Sequence, residues 1–293
     1  MKRILLSLLF VAVAVAIQAQ DAAGVLSLAR RVNDYFVAQN PDPTKPTFVK
    51  KKRTSNLWTR AVYYEGLMDL YSVDPDKRYL EYTDRWGVYH KWTARGSVDD
   101  TNADNQCCEQ TYIDRFAATG DSVMIAPTTE NLNHQMATGR KNYWWWIDAI
   151  QMAMPVYAKY AKISGDRHYL DYAMDCYRDA RDRRGLFNIA DGLWWRDSVY
   201  KAPYKEPDGK NCYWSRGNGW VYAALVRVMK TVDADDPYYK ELLKDYLLMT
   251  HALVKLQRRD GYWNASLVST NYAGPEMTGT ALFLYGMAWG VRN

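Results

Sequence analysis

Apolar positions in this chain recur at helical spacing. In the clearest stretch, Leu242, Tyr246, Met249, Leu253 and Leu256 fall three or four residues apart, which places them on one face of an α-helix. Such patterns, bounded by Gly, Pro and Asp, predict helices over 22–38, 56–72, 77–92, 104–119, 122–137, 144–164, 167–182, 214–231, 237–257 and 276–290. Strand-like character is confined to short pieces around Leu193–Tyr200. The class is all-α.

The helices come in pairs. Four segments share one layout: the apolar end of a helix, a turn, then an Asp placed to cap the next helix. Those residues are Asp76, Asp121, Asp166 and Asp236, at intervals of 45, 45 and 70. A period near 45 residues marks a repeated helix pair. The stretched third interval contains 185–211, rich in Gly, Pro, Asp and aromatics, and reads as a long functional loop. Repeated pairs either stack as a solenoid or close into a toroid. A six-pair toroid needs twelve helices, and the pattern supplies ten.

Met1-Lys2-Arg3, an apolar run from Ile4 to Ile17, and Gln18-Ala19-Gln20 open the chain. A basic head, an apolar stretch of roughly 7–15 residues and a small residue behind it make a secretory signal peptide. The run is shorter than the roughly 20 residues of a membrane span. Cleavage is expected near Ala19, leaving 20–293 as a single domain, exported to the periplasm or beyond, with no membrane partner.

Charge and composition narrow the function classes. The net charge of +5 comes partly from Lys2-Arg3 and Lys50–Arg53, and no basic stripe runs along a predicted helix, which argues against a nucleic-acid partner. Cys107, Cys108, Cys176 and Cys212 lack the paired spacing of a zinc site; they read as packing residues, with oxidation of one pair left open. The chain has 12 Trp and 24 Tyr but only 6 Phe. Trp and Tyr combine an apolar face with a polar edge, which suits sugar rings as well as helical cores.

Three strings carry candidate chemistry. Asp148 is the one carboxylate in Asn142–Met152, directly after Trp144-Trp145-Trp146-Ile147. Enclosure by tryptophan would raise its pKa and keep a proton available for general-acid work, although a first-turn Asp can also serve only as a cap. Asp104 stands at another helix start, where capping is again the plain alternative. Two acids at the starts of alternate helices would meet at one end of a toroid, and paired carboxylates are the usual equipment for cleaving glycosidic bonds. In Trp214-Ser215-Arg216-Gly217-Asn218-Gly219-Trp220, the glycines allow close approach or unusual backbone angles. Arg216 offers a fork for a carboxylate between two indoles, or a structural cation–π pair.

Taken in order, these strings resemble a known family. Ala103-Asp104 with Gln110-Thr111-Tyr112, Trp146-Ile147-Asp148 with Met152 and Pro155, Gly192 through Arg196-Asp197, Trp214 through Trp220, and Pro275 through Thr280 look like glycoside hydrolase family 105. These are the unsaturated rhamnogalacturonyl and glucuronyl hydrolases, related to family 88. The resemblance implies an (α/α)6 barrel that removes a terminal 4,5-unsaturated uronic acid from pectin-type oligosaccharides by hydrating the enol ether. It implies Asp148 as proton donor to C4, Asp104 as the second acid, Trp146 and Trp220 as stacking surfaces, and Arg216 as a polar contact. Trp214, Asn218 and Arg196 complete the expected substrate contacts, and no metal or organic cofactor is implied. Arg196 stands where well-described members carry His, Glu109 where they carry Gly, and Met277 where they carry Thr. Members also continue past the position of Asn293 for about two more helices. The expected fold is therefore a barrel lacking its last helix pair, open-sided or padded by self-association. An ordinary inverting glycosidase and a sugar-binding relative without turnover are the competing readings.

Overall fold

The computed structural model describes residues 22–293; the leader expected over 1–19 lies outside them. A first helix, α1, covers 22–39. It is followed by α2 (Trp58–Val73), α3 (Lys77–Tyr89), α4 (Ala103–Gln106), α5 (Glu109–Thr119), α6 (Ala126–Ala137), α7 (Asp148–Ser164), α8 (His168–Arg178), α9 (Ser215–Met229), α10 (Pro237–Leu256) and α11 (Met277–Arg292). No described helix is long and apolar enough to cross a membrane.

The four pair-defining aspartates do what their position suggests. Asp76, Asp121, Asp166 and Asp236 each accept a hydrogen bond from the backbone N–H two residues on, at 2.9, 3.0, 2.9 and 2.8 Å. Each so satisfies an amide that the first turn of the following segment leaves without a helical acceptor. Before two of them, Gly120 and Gly165 end α5 and α7 in the left-handed conformation.

Burial sorts the helices into two rings. On α3, Tyr79, Tyr82, Thr83 and Trp86 are buried, and on α10 Leu242, Tyr246, Met249 and Leu253. A single apolar stripe of this kind belongs to an outer helix. By contrast α7 is buried continuously from Asp148 to Ala158 and α9 from Gly217 to Val226, as expected of inner helices covered on every side. Alternation then gives α2, α4 with α5, and α11 inner places beside α7 and α9, each after an outer helix; α11 is buried only along the stripe Gly279, Thr280, Phe283 and Gly286. This makes five outer–inner pairs among the described residues, in the arrangement of an (α/α)6 toroid.

A buried carboxyl ties the inner ring together. Glu65 on α2 accepts from Cys107 Sγ (3.1 Å), from Gln110 Nε2 on α5 (3.2 Å) and from Gln151 Nε2 on α7 (2.9 Å), and Arg227 on α9 lies 3.5 Å away. Burial pushes its pKa up while the Arg227 charge pulls it down. Cys107, Cys108 and Cys176 are buried free thiols, and Cys212 is a partly exposed one.

Three boundaries differ from the sequence pattern. The helix expected over 104–119 breaks at Cys107-Cys108 into α4 and α5. The helix expected from 144 starts at Asp148, because the preceding backbone pairs with another loop. Two antiparallel hairpins appear: β1 (Thr47–Val49) with β2 (Lys51–Arg53), which was not foreseen, and β3 (Phe187–Asn188) with β4 (Leu193–Trp194). Of the second hairpin, β4 falls at the start of the stretch Leu193–Tyr200 where short strand pieces were expected, and β3 lies ahead of it.

Candidate active site

The N-terminal ends of the inner helices meet at one end of the toroid. Asp104 opens α4, Asp148 opens α7 and Arg216 lies in the first turn of α9. Trp58, at the start of α2, sets its ring edge-on to Trp220 of α9, with centroids 6.3 Å apart.

Backbone pairing between loops fixes these ends. The Ile147 N–H donates to the Arg196 carbonyl at 2.9 Å and Trp146 bridges Asp197. The Ser215 N–H donates to the Ala265 carbonyl and the Leu267 N–H to the Tyr213 carbonyl, both at 2.8 Å. Gly217 is a requirement of this packing: a Cβ there would lie 2.8 Å from both Ile147 Cδ1 and Trp214 Cε3. Its role is close approach, since its φ is not in the left-handed region.

Asp148 is 8% exposed, and its Oδ2 is buried with no hydrogen-bond partner. Burial pushes its pKa up to about 6; Arg196 and Arg216 pull it down, and Asp104 pushes it further up. Asp104, partly buried, is also raised to about 6 by burial, against the pull of Arg53 and Arg196. Both carboxyls therefore titrate well above the ordinary carboxylate range. The pull of two guanidiniums has not overcome desolvation at Asp148.

The two guanidiniums differ in what they have to offer. Arg196 is paired to Asp197, which is buried and also accepts from the Val199 N–H at 2.8 Å. Arg216 lies over the Trp214 ring, 4.1 Å from its centroid, and its Nε is buried without a partner. The cation–π stack and an available fork are thus compatible: the indole holds the guanidinium and leaves its N–H donors unspent. A cavity of about 550 Å³ opens beside it, lined among others by Arg196, Trp214, Arg216, Tyr200, Tyr204 and Glu206. Asp148 and Asp104 do not line this cavity; they connect to it through Arg196 and Arg216.

The structure gathers Asp148, Asp104, Arg196, Arg216, Trp146 and Trp220 at this end, with Trp146 and Trp220 buried and the Trp220 Nε1 unpartnered. Two expectations change. Asn218 is fully buried; its amide accepts from the Trp194 N–H (2.8 Å) and donates to the Trp194 and Trp214 carbonyls (2.9 and 3.0 Å). It is a clamp on β4, with both donors committed to backbone. Trp214 gives one ring face to Arg216, so it acts first as the support for that guanidinium. Arg53, which the sequence reading counted only toward net charge, proves to be the foremost cation acting on Asp104.

Fold and site together define a class: a helical-toroid glycoside hydrolase with an acid held in poorly hydrated surroundings. The sequence profile of Glycosyl Hydrolase Family 88 matches residues 28–293, and the chain belongs to that family. The resemblance pointed to family 105 and to its relative, family 88; the profile match is to the latter. The unsaturated 3S-rhamnoglycuronyl hydrolase of Formosa agariphila is 28% identical over 262 residues, 80% of this chain and 67% of its own length. A family 88 glycosyl hydrolase from Bacteroides vulgatus superposes with a TM-score of 0.83 at 32% identity, covering 92% of this chain and 78% of that one. A polysaccharide lyase superposes with a TM-score of 0.84 at 31% identity and the same coverages.

Proposed function

We propose that the protein removes a terminal 4,5-unsaturated uronic acid from acidic, pectin-type oligosaccharides, and that it does so outside the cytoplasm. One observation carries the chemistry. Asp148 is a buried carboxyl titrating near 6, with an oxygen no protein group occupies, beside a guanidinium whose donors are unspent. An acid of that pKa still holds a proton in mildly acidic solution and gives it up readily. The name of the Formosa agariphila relative, an unsaturated 3S-rhamnoglycuronyl hydrolase, supports the unsaturated uronic acid as the group removed.

In this reading Arg216 binds the uronate carboxylate, while Trp146 and Trp220 bound the ring. Asp148 delivers its proton to C4 of the enol ether. The ionised Asp148 then draws a proton from a water as that water's oxygen bonds to C5, regenerating the acid. The product is a hemiketal. Its opening turns C1 into a hemiacetal, which expels the remaining sugar, so the net change is addition of one water and loss of the double bond. Asp104 contributes by orienting the ring and by raising the proton affinity of Asp148.

The test uses an unsaturated uronic disaccharide and the ultraviolet absorbance of its double bond. Wild-type protein is expected to bleach it, and the Asp148→Asn variant to do so at least 10²-fold more slowly, the typical scale of general-acid catalysis. Rising absorbance on a saturated polyuronide would instead mark a lyase, and binding without any absorbance change a sugar-binding relative.

A further inference from the structure

Asp104 is acted on by a third guanidinium, carried on the hairpin that the helical pattern did not anticipate. Arg53 ends β2, pairs across the hairpin with Thr47, and has a buried Nε with no hydrogen-bond partner. It lowers the pKa of Asp104 more than any other cation does, yet forms no ion pair with it or with any other acid among the described residues. The chain from Arg53 runs through buried Ser55 and Asn56 into α2, whose Trp58 meets Trp220. That path fixes the hairpin at the active end of the toroid. Lys50, Lys51 and Lys52, exposed around the turn, add three positive charges there.

We infer that Arg53 is a specificity-determining residue that binds an anionic substituent, a carboxylate or a sulfate ester, on the sugar next to the terminal uronic acid. The inference rests on the substrate reading above. Each unsaturated uronic acid carries a single carboxylate, and Arg216 on the Trp214 side is placed to take it. Arg196 is committed to Asp197. Arg53 acts on Asp104 with its buried Nε unclaimed, and a partly buried guanidinium without a partner is costly until an anion satisfies it. A second negative group on the substrate supplies one.

Three unsaturated disaccharides test this: the same terminal uronic acid joined to a neutral sugar, to its sulfate ester, or to a second uronic acid. Wild-type protein should show kcat/KM about tenfold or more higher on at least one charged substrate than on the neutral one. Which charged substrate leads tells whether sulfate or carboxylate is the ligand. In the Arg53→Gln variant that ratio should fall toward one, a loss of about tenfold or more on the scale of one charge-assisted hydrogen bond, with most of the change in KM. Arg53→Lys should recover part of it. Because the readout is a ratio within one preparation, a reduced active fraction does not mimic the effect. An unchanged ratio in Arg53→Gln, or a wild-type protein without preference, overturns the inference while leaving the functional reading intact. If no substrate is bleached, the functional reading fails. Calorimetric titration of the sulfated and diuronic disaccharides then decides the role of Arg53, with binding equal in wild type and Arg53→Gln as the contrary result.

Discussion

The Ile147 N–H donates to the Arg196 carbonyl at 2.9 Å, so the residue before Asp148 is joined to the residue carrying the strongest cationic pull on it. The acid and this guanidinium are held near each other by backbone, reinforced by the Trp146–Asp197 bridge, while the Arg196 side chain pairs with Asp197. The positive charge therefore acts on Asp148 without capping it. An oxygen of the acid stays unspent, which is what a group that must give a proton to a substrate requires.

Holding that acid in the fold is unfavourable above its pKa. The folded value is near 6 against an ordinary 3.8, a difference of about 3 kcal/mol once both states are ionised. The sign follows: the folded form binds more protons between about pH 4 and pH 6, so stability falls as pH rises through that window. Asp148→Asn removes the titration. Compared with wild type, it should be more stable at pH 7.5 than at pH 4 by about 2–3 kcal/mol, measured by urea denaturation at the two pH values. Equal differences at both would place the carboxyl in water.

Arg196 pulls both acids down, so removing its charge must move them up. In Arg196→Gln the fall of kcat with rising pH, expected near pH 6 in the wild type, should shift to higher pH by about half a unit or more. A pH–rate profile of each protein checks this. A shift to lower pH would reverse the electrostatic assignment.

Asn218 links α9 to β4 and thereby to the segment carrying Arg196. Asn218→Ala would take from Trp194 the side-chain partner of its buried N–H and its carbonyl, while the Trp214 carbonyl keeps the Asn218 backbone N–H at 3.1 Å. Each unsatisfied group costs roughly 1–3 kcal/mol. The expected loss of stability is about 2–4 kcal/mol in denaturant titration, accompanied by lower activity. A neutral effect on stability would return Asn218 to the substrate side.

Glu65 holds donors from α5 and α7 and faces Arg227 of α9. Glu65→Ala should cost about 3–5 kcal/mol, because the Gln151 amide loses its buried acceptor and Arg227 is left with Asp69 as its one remaining carboxylate within 4 Å. Thermal unfolding of the variant measures it, with a substantial drop in Tm as the expected result.

The parts of this molecule that depend on near neighbours were readable from the chain. An N-cap involves an Asp and an amide two residues away, so Asp76, Asp121, Asp166 and Asp236 reveal the pairing of helices without any tertiary knowledge. Burial of Asp148 was likewise foreshadowed by the tryptophans beside it. What escaped depends on which loops meet. The late start of α7 and the clamp made by Asn218 follow from contacts 24 to 51 residues apart in sequence, between 146–147 and 196–197 and between 218 and 194. Three-residue strands at 47–53 show no usable alternation, so Arg53 looked like one more surface charge. The long loop over 185–211 was marked as functional from composition, and Arg196, Tyr200, Tyr204 and Glu206 from it line the cavity.

The order of two events in a single turnover tests the central claim most directly. With enzyme in excess over an unsaturated uronic disaccharide, double-bond absorbance and released sugar are followed together in a rapid-quench series. Protonation of C4 by Asp148 requires the absorbance to fall before, or together with, release of the sugar, and both to stop in Asp148→Asn. Release of the sugar first, with the absorbance decaying afterwards at a rate independent of enzyme concentration, would mean attack at the anomeric carbon and would contradict the account.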